Sequence, residues 1–397
     1  LEPNGQFGTR LHGGDDSASE RYIFTMLNPL CRAIFPDHDD AILNYLDDDG
    51  ATVEPEFYVP VIPFALINGI SGIGTGFSCS IPAFHPSDCV DYLKAKLSVQ
   101  PFEKEFVPYY EGFKGSITKI ESCKFLVKGC YEVINDNTIH ISELPVGTWT
   151  MPYTAFLETL MDGVDKNGKK VAPLVKDFTS LSTEVHVDFT VTFVKGRLSQ
   201  LLSDGDEQIN GLEKALKLTS TLSTSNIHMF DGERKLHKYQ TVEEIIDAYF
   251  EVRLGVYEKR KAHMIEHLTL KLQKLSNKAK YIQQTLSGAV DLRKKSAVQV
   301  EALMTSQGFD KIDGDFKYLI KMPMDSVTEE NVAHIMKERD DATKELEILQ
   351  NTTIRELWIS DLAEFEKQYS VYRTKREHIQ SGAIKSAKPA KKRVVKK

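Results

Sequence analysis

A phenol titrates near ~10, so a tyrosine becomes a useful nucleophile only where its surroundings favour the anion. Tyr22 stands beside Arg21 in the run Gly5-Gln-Phe-Gly-Thr-Arg-Leu-His-Gly-Gly-Asp-Asp-Ser-Ala-Ser-Glu-Arg-Tyr-Ile-Phe-Thr25. A neighbouring guanidinium and a helix N-terminus both favour the phenolate, and the same two features would hold a phosphate. Gly5, Gly8, Gly13 and Gly14 permit close backbone approach to a ligand, with Arg10 and His12 among them as candidate phosphate donors. The chemistry these residue types suit is attack by Tyr22 on a bound phosphate. The residues alone leave a second reading open, in which Tyr22 is an amphipathic surface residue at a helix start.

The elements that must position this group can be read from periodicity. Ser17 and Glu20 have capping-box spacing, and Ile23, Leu27, Leu30 and Ile34 recur at intervals of four, three and four. That pattern predicts a helix with Tyr22 in its first turns. Val53 to Pro63 is proline-rich and reads as extended. Gly69-Ile-Ser-Gly-Ile-Gly-Thr-Gly76 has neither a βαβ context nor a following GKS/T, which argues against nucleotide binding. Ile73 on that glycine-flanked tip has the form of a wedge between base pairs, with a core isoleucine as the alternative. A short helix is predicted over Ser87 to Leu97.

From about Phe102 the segments Gly115 to Ile120, Tyr131 to Ile134, Thr138 to Leu144 and Val185 to Phe193 alternate apolar and polar residues, as half-buried strands do. Lys114, Lys119, Lys124 and Lys128 on them could face phosphate or be solvated edges. After Thr241 the pattern is helical. Ile265, Leu268, Leu272, Leu275, Ala279, Ile282 and Leu286 form a coiled-coil seam. A second helix is predicted from the Ser326-Val-Thr-Glu329 capping box through Ile335, Ala342, Leu346 and Leu349 to about Tyr369, antiparallel to the first. Val290 to Met324 between them reads as a compact helical knob.

The 397 residues suffice for two or three domains, and 41% hydrophobic with 27% charged content is ordinary for a globular protein. No apolar run approaches the ~18 residues of a membrane span, and the start lacks the pattern of a signal peptide. Neither a membrane role nor secretion is expected. The five cysteines lack zinc or disulfide-framework spacing, so a reducing compartment is the default. The net charge of −7 is unevenly spread: Asp37 to Asp40 and Asp47 to Asp49 are acid-rich, while Lys385 to Lys397 is a basic tail without acidic residues, read as disordered.

The run from Gly5 to Leu27 closely resembles the active-site segment of eukaryotic-type DNA topoisomerase II, the type IIA class. Glu54-Pro-Glu-Phe-Tyr-Val-Pro and Asn68-Gly through Gly72-Ile-Gly-Thr-Gly-Phe-Ser78 resemble a second motif of that family, Gly112-Phe-Lys-Gly-Ser-Ile and Thr138 to Thr150 its tower domain, and Phe316 to Pro323 its exit-gate dimer contact. The resemblance implies an α+β multidomain chain: a partial winged-helix DNA-cleavage domain with the catalytic tyrosine at 1–98, a tower domain at 99–238, coiled-coil helices at 239–289 and 327–375, a helical C-gate dimerisation knob at 290–326 and a basic disordered tail at 376–397. It implies that Tyr22 forms a 5′-phosphotyrosyl link to DNA, that Arg21 stabilises the phosphate, that Arg10 and His12 line the DNA channel and that Ile73 wedges into the duplex. Implied partners are double-stranded DNA, a second copy through the C-gate, and an ATPase and TOPRIM region or chain. Mg²⁺ and ATP would be bound by those regions, expected to be missing here, so that the chain alone would be inactive. The implied location is the nucleus, or a cytoplasmic factory for a viral protein.

Asp15 stands where the family generally has lysine, Glu20 where it often has proline, and Gly147 where it commonly has arginine. All three changes reduce positive charge or add negative charge near DNA. Two rivals remain. One is a non-enzymatic, dimeric coiled-coil DNA-binding scaffold in which Tyr22 is structural. The other is a bacterial protein of the gyrase type, which shares the chemistry but is disfavoured by RYIFT, GIGTGFS and the short basic tail.

Overall fold

The computed structural model describes residues 2–163, 170–206, 208–293, 295–312, 314–323 and 328–380. The chain divides into two compact units, one of residues up to 35, 60–251 and from 362 onwards, the other of 36–59 and 252–361.

In the first unit, alternation builds a four-stranded antiparallel sheet in the order Val175–Ser180, Phe189–Phe193, Thr138–Glu143, Cys130–Asn135. Ile139, Ile141, Phe189, Val191 and Phe193 all point to one side, and Tyr153 and Leu157 of the Thr150–Asp162 helix close over them. Each such side chain contributes roughly 1.5–3 kcal/mol when fully buried. A second sheet runs Thr219–Ser223, Lys124–Lys128, Ser116–Glu121. Three of the four lysines considered for phosphate are ion-paired there, Lys119 with Glu105, Lys124 with Glu121 and Lys128 with Glu213. The helix predicted over Ser87 to Leu97 is present as Pro86–Leu97, with His85 Nδ1 accepting from the Ser87 amide at 3.1 Å.

The second unit holds most of the long helix Val242–Leu286, the helix Glu329–Asn351 and the start of Ile354–Gln380. Leu275, Ala279 and Ile282 pack with Val332, Ile335 and Ala342. Arg260 meets Asp361, and Lys261 meets the carbonyls of Gln350 and Thr352, so rising numbers on one helix meet falling numbers on its partner. The pairing is antiparallel, as predicted. The continuous second helix over 327–375 is corrected: it breaks at Thr352 and Thr353. Lys261 Nζ satisfies carbonyls at the end of the first piece, while Thr353 and Glu356 exchange hydrogen bonds of 3.2 and 2.7 Å at the start of the next. The helix before the break starts from Thr328, whose hydroxyl accepts from the Asn331 amide. Ser326, the predicted cap, lies outside the described residues, as does 381–397 of the predicted basic tail. Residues 376–380 are helical.

Between the two long helices, Val290, Met304, Phe309, Phe316 and Leu319 form a small core around the helices Ala297–Ser306 and Lys317–Ile320. Residues 36–59, assigned from sequence to the first domain, belong instead to this unit. Arg253, fully buried, donates to Asp39 at 2.7 Å and to the Val59 carbonyl at 2.6 Å, and its guanidinium lies 4.2 Å from the Tyr257 ring. A buried charge persists only where such partners replace water.

Candidate active site

The loop that leads to Tyr22 is braced from within. Asp16 accepts from the Thr9 amide at 2.9 Å and the Thr9 hydroxyl at 2.5 Å, and the Thr9 carbonyl accepts from the amides of Gly13 and Gly14. Hydrogen bonds from Thr9, the side chain first, hold the Asp16 carboxyl below the usual carboxylate range. Two chain passes touch at Gly8 and Gly14, where a Cβ on Gly8 would come within 2.4 Å of the Gly14 Cα. Gly13, at φ +67°, lies against the Trp149 indole, which a Cβ there would approach to 2.2 Å. Glycine is required at both positions.

The predicted helix over Ser17 to Ile34 does not form. Glu20–Tyr22 is a single 3₁₀ turn without a side-chain cap, and Phe24–Met26 is a strand paired antiparallel with Glu2–Asn4. The run Ile23-Phe-Thr is β-branched and aromatic, suited to an extended chain with a partner, and Asn28 stops it by accepting from the Leu30 amide and donating to Glu2. Helix resumes only at Cys31–Ile34. The helix-dipole support expected for the Tyr22 anion is therefore withdrawn, because one short turn carries little dipole. What remains beside Tyr22 is Arg21, whose guanidinium carbon lies 5.1 Å from its ring centroid. The ring is 64% exposed, and Phe24, Met26 and Leu27 next to it are also exposed.

The other predicted residues part company. His12 and Asp15 are exposed on the loop. Arg10 is not free for a phosphate: its guanidinium forms an ion pair with Glu143, which is only 1% exposed. Ile73 sits near the tip of the hairpin Ile70–Gly74 and Phe77–Ile81, opposite Ser78, and is 94% exposed, which removes the core alternative. The hairpin's root is held by Asn226, through Ser78 Oγ at 2.9 Å and the Ser80 amide at 2.8 Å, and by Phe77 edge-on to Phe230. Among the described residues, no three His, Cys, Asp or Glu side chains converge as metal ligands, so a divalent ion does not fit the donors present.

Sequence reasoning missed Glu143 and Trp149. A signal for Glu143 existed, since it falls in the same strand phase as the buried Ile139 and Ile141. An acid in an apolar phase demands a partner.

The family model for the DNA-cleaving subunit of DNA gyrase/topoisomerase IV, the one designated A, matches residues 1–363. The chain belongs to this family. DNA topoisomerase 2-alpha of Gallus gallus is 35% identical over 98% of the chain and 26% of its own length, and DNA topoisomerase 2 of Arabidopsis thaliana is 35% identical over 98% of the chain and 28% of its own. The chain thus spans about a quarter of these relatives. The crystal structure of the Plasmodium falciparum topoisomerase II DNA-binding, cleavage and re-ligation domain superposes with a TM-score of 0.84 at 32% identity, over 97% of this chain and 54% of that one. The mixed α/β fold is therefore that of a type II topoisomerase cleavage core. Among the described residues, no helix is long and apolar enough to cross a membrane.

Proposed function

We propose that this chain carries the DNA breakage-and-rejoining chemistry of a type IIA topoisomerase, with Tyr22 as its nucleophile. The Tyr22 oxygen attacks a backbone phosphorus and forms a P–O bond to the 5′ phosphate. The bond to the neighbouring 3′ oxygen breaks, and that oxygen leaves as a hydroxyl once protonated. Because one phosphodiester replaces another, the reverse attack reseals the strand without external energy. Arg21 offsets charge on the phosphorane-like transition state. Two copies would cut both strands of a duplex and pass another through. The observation that carries this reading is an exposed tyrosine beside an arginine, at the end of a braced glycine loop, in a chain of this family.

Under this reading 99–238 is the tower domain, the antiparallel helices are a coiled-coil arm and the 290–326 knob is a dimer contact. Ile73 enters the duplex: an exposed aliphatic tip on a firmly rooted hairpin can unstack a base step, at a cost of a few kcal/mol offset by contacts to bent DNA. Mg²⁺ and ATP are used by the complete enzyme outside the described residues, in the nucleus. His12 lines the channel, and Arg10 does not. The test is Tyr22→Phe in the full-length enzyme, which should abolish covalent protein–DNA adducts and strand passage while leaving DNA affinity within about threefold, since phosphate contacts dominate affinity. Relaxation near the wild-type rate in that variant would refute the assignment and favour a scaffold.

A further inference from the structure

We infer that Glu143 is a positioning residue for this reaction, acting through Arg10 to hold the loop that leads to Tyr22 in its working shape before DNA arrives. The inference rests on the reading of Tyr22 as nucleophile. Glu143 is the last residue of the Thr138–Glu143 strand, and the pairing register shifts between Ile141 and Glu143. A bulge there re-aims a side chain out of its regular alternation. The carboxylate takes four donors: both terminal nitrogens of Arg10, the Lys114 amide at 3.3 Å and the Leu144 amide at 2.9 Å. One buried acid therefore ties the glycine loop, the segment before Ser116 and the strand end together.

The loop repays that contact by completing the next element. The Thr150–Asp162 helix starts after Trp149 without a side-chain cap. Its orphan amides at Thr150 and Met151 are taken by the carbonyls of Arg10 and Leu11, at 3.4 and 3.0 Å. The Arg10 amide in turn donates to the Glu184 carbonyl at 3.0 Å, and Trp149 packs on Gly13. Residues 9–13 are thus docked by backbone, side chain and ring at once. A guanidinium used this way is a structural peg, which explains why an arginine in a glycine-rich, phosphate-like loop does not point to a phosphate. Displacing the loop by an ångström would misplace Tyr22, and errors of that size cost about a hundredfold in rate where alignment is critical.

The experiment compares Glu143→Gln, Arg10→Met and the double variant in the full-length enzyme. Three readouts are taken: rate of covalent adduct formation, DNA affinity across a salt series, and amide exchange without DNA. If Glu143 positions the loop, Glu143→Gln slows adduct formation at saturating DNA by about tenfold to a hundredfold. Affinity and its salt slope stay unchanged, and the double variant is no slower than the slower single one. Exchange rises at the amides of Gly13, Gly14, Thr150 and Met151 only, which separates loop release from unfolding. In the unsubstituted protein those amides should be protected without DNA, and rapid exchange there would overturn the inference with no variant needed. It would also be overturned if Glu143→Gln strengthened binding and steepened the salt slope by roughly 0.9, the signature of a freed Arg10 becoming a phosphate contact. Failure of the Tyr22 reading shows separately, as adducts persisting in Tyr22→Phe.

Discussion

The glycine loop before Tyr22 and the hairpin bearing Ile73 are both glycine-rich and both belong to the first unit, yet they are built in opposite ways. Between Thr9 and Ala18 the loop has its own hydrogen-bonded brace, a buried acid beneath it and an indole against it. The hairpin is held at its root by Asn226 and Phe230, while Gly72 has open space where a Cβ would lie. A nucleophile must arrive at phosphorus in line, so its support has to be rigid. A wedge needs only an apolar shape on a firm base, and a bare tip leaves room for the bases it separates. Glycine serves close contact in one region and clearance in the other.

Substitution should expose that contrast. Gly13→Ala places a Cβ into Trp149 at a positive φ and should cost about 1–3 kcal/mol or more, with loss of cleavage. Gly72→Ala meets nothing, and should stay within about 0.5 kcal/mol of the parent in thermal unfolding. Equal losses from the two would erase the distinction. Ile73→Ala comes next: cleavage and DNA bending fall together, while melting temperature holds because a fully exposed side chain supports no core. A FRET bend angle equal to the parent's would contradict the wedge.

The segment after the hairpin adds a pH dependence. Burial lowers the His85 pKa, and its Nδ1 must be unprotonated to accept from Ser87. The folded-state value lies below the unfolded one, so the cap's contribution is fully present above the ordinary value near ~6.5 and is lost as pH falls through the lowered folded value. Its size should be about 0.5–2 kcal/mol. His85→Asn keeps an acceptor without titrating, so its stability profile should lose that acid limb. An identical acid limb in both proteins would place the titration elsewhere. The smallest effect is expected at Asp15, exposed on the braced loop. Asp15→Lys should raise DNA affinity several-fold at moderate salt and steepen the salt slope by about 0.9, with no change in melting, because no helix starts beside it. An unchanged slope would mean that this face of the loop points away from DNA.

Much of this was legible in the chain. Period-two alternation located the strands around Ile139 and Val191, and the apolar seam from Leu268 to Ile282 located the paired helices. Where sequence reading failed, a tertiary partner overrode a local pattern. Ile23, Leu27, Leu30 and Ile34 are spaced for a helix, but Glu2–Asn4 offers strand pairing to Phe24–Met26, and a distant segment leaves no mark in a short window. The break at Thr353 was visible as Thr-x-x-Glu, the same signature used to start the preceding helix, and was overrun by the longer apolar repeat. Arg10 was read as a phosphate donor from its glycine neighbours. Its actual partner lies 133 positions away, and only the burial phase of Glu143 hinted at the need for one.

The claim at the centre is that Tyr22 becomes joined to DNA. The most direct measurement traps the full-length enzyme on a suicide DNA substrate with denaturant, digests protein and DNA, and maps the residual nucleotide by mass spectrometry. A 5′-linked nucleotide on the peptide bearing Tyr22, absent in Tyr22→Phe, is the expected result. A covalent nucleotide on any other residue, or no adduct under conditions where the parent enzyme relaxes DNA, would contradict it.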